Sequence, residues 1–360
     1  MKMCSAISAN GCFVDLIVPN GKEEKEAVEL SAFDFYGVNH KFSIHSVRWS
    51  RAGQFGYGFE AAKMAARSKA DIVYCRNVYA AIYSVLMGLK TVLELHAPPS
   101  QRTGLLRSVQ NFLLRCLFSS ERLVKLVVIT HKLKDHMLAE WNLREEKLLV
   151  APDGADEYGA PIEPKVVGER VKVGYTGQLY PGKGMEIILP LARRCPWADF
   201  VVVGGKEEDL AYWKEKAAGI DNLCFAGYVP HSEVAKYIEE FDVVLLPNQE
   251  KVLTYGADQD IGQWTSPLKA FEYMAAGKPV LVSDLPVLKE IFTHGCDALL
   301  CKSDDVGEWE AALRKLHEDS GLRKSLGDNA KMKLMREYTW KVRAKNIVDS
   351  LREHIEVAHQ

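Results

Sequence analysis

Short apolar runs rich in Val, Ile, Leu and Phe alternate along the chain with longer stretches whose apolar residues recur every three or four positions. The short runs read as buried strands and the longer stretches as amphipathic helices, so the alternation predicts an α/β protein built on parallel sheets. Six strands are expected in the first half, at 13–18, 42–47, 71–75, 91–95, 126–129 and 148–151. Six more are expected in the second half, at 171–175, 200–203, 223–226, 243–246, 280–282 and 298–300. Between them, 153–168 is rich in Gly, Pro and Glu with little apolar periodicity, and reads as a linker. Two domains follow, 1–155 and 170–337, with a helix at 338–360 that could pack on either.

The beginning of the chain departs from this pattern. Residues 1–10 look like the helix that follows the first strand and Gly-rich turn of a doubly wound domain. The expectation is that this first strand is missing, by truncation or through another strand order, leaving backbone groups of its neighbours unpaired.

Residues 265–284 carry the strongest local signal. Thr265 and Ser266 are N-cap types, Pro267 suits a first helical position, Gly277 is a stop, and 280–282 is a buried strand. Glu272 lies on the apolar face between Leu268 and Ala276, so burial of that face predicts a carboxylate drawn inward. Either a ligand hydroxyl pair satisfies it, or Lys269 pairs with it at the surface. Ligands of open α/β sheets sit beyond the carboxyl ends of strands, which singles out Arg76, Asn77 and His96 in the first half. In the second half the same rule selects TGQLYPGKG, with Gly177, Gln178 and Lys183. Its glycines permit close backbone approach and Lys183 brings a point charge for a phosphate; the alternative is an ordinary turn with a solvated lysine. Asp258 and Asp260 lie in a long loop, 248–263, and read as solvated acids rather than a metal site.

The totals restrict the function classes. A chain of 360 residues with a net charge of −2 offers no global attraction for nucleic acid. Eight cysteines without a CxxC pair read as packed thiols, and no apolar run is long enough to cross a bilayer. A cytoplasmic protein is expected, with the inner face of the membrane as a candidate surface. The asymmetric patch is 101–134, where Lys and Arg interleave with Leu and Phe. Such a helix either lies in an anionic membrane surface or packs its apolar face on the sheet.

TGQLYPGKG, the PN of VVLLPN, TSPLKAFEYMAAGKPVLVSD, ELHAPP and APDGAD together resemble glycosyltransferase family 4, retaining enzymes with the GT-B fold. The resemblance covers most of the chain. It implies two Rossmann-like domains facing a central cleft, a nucleotide-sugar donor (UDP- or GDP-linked) on the C-terminal domain, and a glycan or lipid-linked acceptor on the N-terminal one. No cofactor and no metal is implied. By position, Lys183 matches the family's diphosphate lysine, Glu272 its ribose-binding glutamate, and Ser266, Pro267 and Leu268 the turn at the phosphates. His96 resembles the histidine near the transferred sugar. Trp264 stands where the first glutamate of the E-x7-E signature would be, and Gln178 where many members have a phosphate-binding arginine. The implied function is sugar transfer in bacterial surface glycan synthesis. The alternatives are a GT-B epimerase or phosphorylase, and a non-catalytic nucleotide-sugar-binding scaffold.

Overall fold

A computed structural model describes residues 1–20, 32–33, 36–38, 42–49, 52–99, 105–157, 170–254 and 257–355. The chain divides into two compact units, Met1–Pro152 with Trp340–Gln360, and Asp153–Thr339. All twelve expected strands are present, with bounds within three residues of expectation. Most of the proposed linker lies outside the described residues.

The first unit runs α1 (Lys2–Ala9), β1 (Asp15–Asn20), β2 (Ser43–Arg48), α2 (Gly53–Arg67), β3 (Val73–Cys75), α3 (Val78–Leu86), β4 (Thr91–Leu95), α4 (Leu105–Ser119), β5 (Leu123–Val128), α5 (His131–Glu140) and β6 (Leu148–Val150). β3, β4, β5 and β6 form a parallel sheet in that order, and β1 pairs in parallel with β2 as a separate ribbon. Among the described residues no strand joins the two groups. β4 is buried at every position, as a central parallel strand covered by helices should be.

The second unit runs β7 (Val171–Thr176), α6 (Met185–Arg194), β8 (Ala198–Val203), α7 (Glu207–Lys216), β9 (Leu223–Gly227), α8 (His231–Glu240), β10 (Val243–Leu246), β11 (Leu253–Thr254), β12 (Ala257–Asp260), α9 (Leu268–Ala275), β13 (Val280–Ser283), α10 (Pro286–Lys289), β14 (Leu299–Cys301), α11 (Val306–Glu318) and α12 (Ser320–Glu337). Its six-stranded parallel sheet has the order β14-β13-β10-β7-β8-β9. The chain winds outward from β7 to one edge, then returns to β10 and winds to the other. β7 and β10 therefore flank the switch point of a doubly wound sheet, where ligands bind. The segment 248–263, expected to be a loop, contains the antiparallel pair β11–β12.

The last long helix, α13 (Trp340–Asp349), belongs to the first unit. Ile347, with Leu351 beyond its end, packs into a buried cluster with Val92, Val124, Val127 and Ala151. A short helix, α14 (Arg352–Ile355), follows.

Candidate active site

The switch point brings two loops into contact. Gly182 and Gly184 follow β7 with φ of +87° and +112°, conformations open to glycine at little cost. A Cβ on Gly182 would run into the Lys251 carbonyl, and one on Gly184 into Pro247, so the β7 loop lies against the chain leaving β10. The Gly182 and Gly184 N–H groups donate to the Glu186 carboxylate at 3.1 and 3.2 Å. This corrects the expected role of the glycines: they pack against protein backbone, and two of their amides are already satisfied. Gly177, by contrast, has only side-chain atoms near its Cβ position, the Tyr175 hydroxyl at 3.5 Å and the Lys269 Nζ at 3.6 Å.

Lys183 is half-buried, with its Nζ 5.1 Å from the centre of the Tyr180 ring. Desolvation by its surroundings holds its ammonium below the ordinary lysine range. Gln178 is exposed, and its backbone carbonyl accepts a hydrogen bond from the Tyr175 hydroxyl at 2.7 Å. Asn248, just past β10, is fully buried, and neither its side-chain oxygen nor its nitrogen has a hydrogen-bond partner among the described residues.

The helix of the 265–284 segment starts later than its sequence suggests. α9 begins at Leu268, Pro267 is its N-cap in an extended conformation, and no side chain caps it. Ser266 is buried and its hydroxyl accepts from the Asp153 N–H at 3.1 Å, tethering the start of the second unit instead of capping α9. Thr265 and Trp264 are half-buried, and the Trp264 N–H donates to the Ile261 carbonyl at 3.0 Å. Leu268 is 48% exposed and Glu272 is half-buried. The buried face is therefore carried by Ala270, Phe271, Tyr273, Met274 and Ala275, and Glu272 projects from the other side of α9, which corrects its expected place within the apolar face. Next to Glu272, the Tyr273 hydroxyl accepts from the Thr176 N–H at 2.9 Å and so fixes the end of β7 against α9.

Spacing missed the role of Lys269. Its Nζ donates to the Tyr175 hydroxyl at 2.9 Å and lies 4.0 Å from the centre of that ring. Burial, then the like charge of Lys183, push its ammonium well below the ordinary range, against the favourable charge of Glu272. One signal was legible: a cation in the first turn of a helix opposes the helix dipole.

In the first unit, His96 hydrogen-bonds through Nε2 to Glu94 at 2.5 Å. Glu94 is buried and also takes Arg343 Nη2 at 2.9 Å and the Tyr74 hydroxyl. Burial alone would raise the Glu94 carboxyl, but the His96 hydrogen bond and the Arg343 charge hold it well below the usual range. Arg343 comes from α13 and also donates to the Pro152 carbonyl at 2.8 Å. Neither Glu94 nor Arg343 was expected at this site. Arg76 is exposed, 3.7 Å from Glu94. The Asn77 side chain is the N-cap of α3 and accepts from the Ala80 N–H at 2.9 Å, a structural role where an acceptor contact was expected.

The sequence model described as Glycosyltransferase Family 4 matches residues 1–157, and that described as Glycosyl transferases group 1 matches residues 162–333. The uncharacterized glycosyltransferase MJ1607 of Methanocaldococcus jannaschii is 22% identical over 96% of this chain and 91% of its own length. The O-antigen chain mannosyltransferase RfbU of Salmonella typhimurium is 23% identical over 58% of this chain and 54% of its own length. Among solved structures, Anabaena Alr3699/HepE in complex with UDP and glucose superposes with a TM-score of 0.68 at 16% identity, over 97% of this chain and 95% of that one. The two sequence models meet at the boundary between the structural units, and the second unit has the doubly wound strand order, so this chain belongs to the family 4 glycosyltransferases of GT-B fold.

Proposed function

We propose that this glycosyltransferase moves a sugar from a nucleoside-diphosphate sugar to a hydroxyl of a lipid-linked or polysaccharide acceptor, with retention of anomeric configuration. The setting we propose is bacterial surface glycan assembly at the inner face of the membrane. The observation that carries the reading is the desolvated Lys183 ammonium at the switch point of the second unit's sheet. Charge on a departing diphosphate is stabilised best by groups already in place in a site of low dielectric. Glu272 orients the nucleotide from α9, and His96, steadied by Glu94, contacts the reacting sugar. The relatives favour the same class: RfbU is described as acting on O-antigen chains, and HepE is described in complex with UDP and glucose. The reaction on this reading needs no metal ion, and turnover survives chelation by EDTA.

α4 supplies the membrane contact in this proposal. Leu114, Leu117 and Phe118 are buried, whereas Val109 and Phe112 are exposed, as are Arg107 and Arg115 on the same helix. On this reading one face packs, and the other presents apolar and basic groups to an anionic membrane surface.

The first test is heat-induced unfolding with separate UDP- and GDP-sugars. A ligand that binds only the folded state raises the midpoint. A shift with one nucleotide class, lost in Glu272→Ala, supports the donor site and names the base. No shift with any donor favours a scaffold, and product analysis with and without acceptor separates transfer from epimerisation or phosphorolysis.

A further inference from the structure

Lys269 occupies a position that costs free energy in three separate ways. It is the second residue of α9, where the helix dipole disfavours a cation. It is half-buried, and Lys183 is close enough for its charge to oppose that of Lys269. Neither ammonium forms an ion pair among the described residues, and the Lys269 Nζ makes one hydrogen bond, to the neutral hydroxyl of Tyr175. Two ammonium groups set against the charge of Glu272 alone, among the described residues, at the switch point of the sheet leave an excess of positive charge for an anion to balance.

The location of Lys269 narrows the anion. Its Nζ lies 3.6 Å from where a Gly177 Cβ would stand, at the carboxyl end of β7 and at the switch point. The Tyr175 hydroxyl accepts from Lys269 at 2.9 Å and donates to the Gln178 carbonyl at 2.7 Å, which ties the ammonium to the loop residue that lacks a charge. The Gly182 and Gly184 amides are occupied by Glu186, so the loop backbone supplies less than its glycines suggest. We propose that Lys269 is the second cation of the donor diphosphate site, supplying from α9 the positive charge that an arginine at position 178 would supply from the loop. This inference rests on the donor reading above. Tyr175 is the positioning residue: its ring and hydroxyl aim the Lys269 ammonium at Gly177, and two cations on separate elements grip the diphosphate from two sides.

The test compares UDP with UMP, and GDP with GMP, by calorimetric titration of the whole protein and its Lys269→Met, Lys269→Arg and Lys183→Met variants. For the base that binds, the ratio of monophosphate to diphosphate Kd measures what the second phosphate adds. Lys269→Met is expected to reduce that ratio by about tenfold or more, as is Lys183→Met, and Lys269→Arg to restore most of it. If Lys183→Met collapses the ratio and Lys269→Met leaves it unchanged, the role of Lys269 is overturned while the donor site stands. If the unmodified protein binds no diphosphate better than its monophosphate, the donor reading fails with it. Should Lys269→Met not fold, acetylation of the unmodified protein decides the matter. The diphosphate, but not the monophosphate, is expected to slow labelling of Lys269, and equal labelling in both overturns the proposal.

Discussion

Asn248 shows how one residue separates stability from function. Its amide is fully buried beside the switch point with neither polar atom bonded among the described residues, an arrangement that costs about 1–3 kcal/mol against a partnered or apolar side chain. Asn248→Val, which removes both polar atoms with a smaller change of volume than leucine would bring, is therefore expected to raise stability by about 1–2 kcal/mol in urea unfolding; a loss of that size would show that the amide is held by a contact the fold requires. Glu94 is the opposite case, a buried carboxylate with several partners. Breaking a buried charge pair leaves the other charge stranded, so Arg343→Met is expected to destabilise the protein by about 3–5 kcal/mol. The pH dependence follows from the lowered Glu94 carboxyl. Its contribution is complete above the unfolded-state value of about 4.3 and disappears as the pH falls toward the folded-state value. The stability difference between the native protein and Glu94→Gln should accordingly shrink as the pH is lowered from about 5 to 3, and a difference that stays constant would remove Glu94 ionisation as its cause.

At the level of elements, α4 and α13 each do something their sequence periodicity leaves open. Apolar residues on α4 exceed what one packed face needs, and the surplus, Val109 and Phe112, is exposed, as are Arg107 and Arg115. Phe112→Ser is expected to reduce co-sedimentation with anionic phospholipid vesicles several-fold while leaving the unfolding midpoint within about 1 °C, because the exposed ring holds little of the fold together. Equal sedimentation of both proteins would remove α4 from the membrane. α13 looks like any amphipathic helix when read alone. In the structure it delivers Arg343 to Glu94 and Ile347 to the core of the first unit, so the end of the chain supports the strand that carries His96. α9 teaches a related lesson: Thr265, Ser266 and Pro267 have the composition of a helix start, yet Ser266 bonds Asp153 and the helix opens at Leu268.

For the molecule as a whole, the two units predict a division of labour visible in kinetics. His96→Ala and Glu94→Gln, both in the first unit, are expected to lower turnover by about tenfold or more with the Kd of UDP or GDP little changed, whereas Lys183→Ala weakens nucleotide binding and turnover together. Equal weakening of nucleotide binding by the first-unit variants would contradict that division. The sequence by itself determined the class of fold and the twelve strands of its two main sheets and the β1–β2 ribbon, because the apolar run of a buried strand is a local property of the chain. It also placed Lys183 and His96 at strand or helix ends, where a doubly wound sheet gathers ligands, and singled out Glu272 within α9. Only the tertiary structure decided which charges meet. Lys269 and Gln178 are joined through Tyr175, Glu94 and Arg343 are 249 residues apart, and Gly182 and Gly184 give their amides to Glu186. Periodicity tells which face of an element is buried, but a side chain's partner lies across space on another element. Its charge state depends on that partner and on the water the fold excludes.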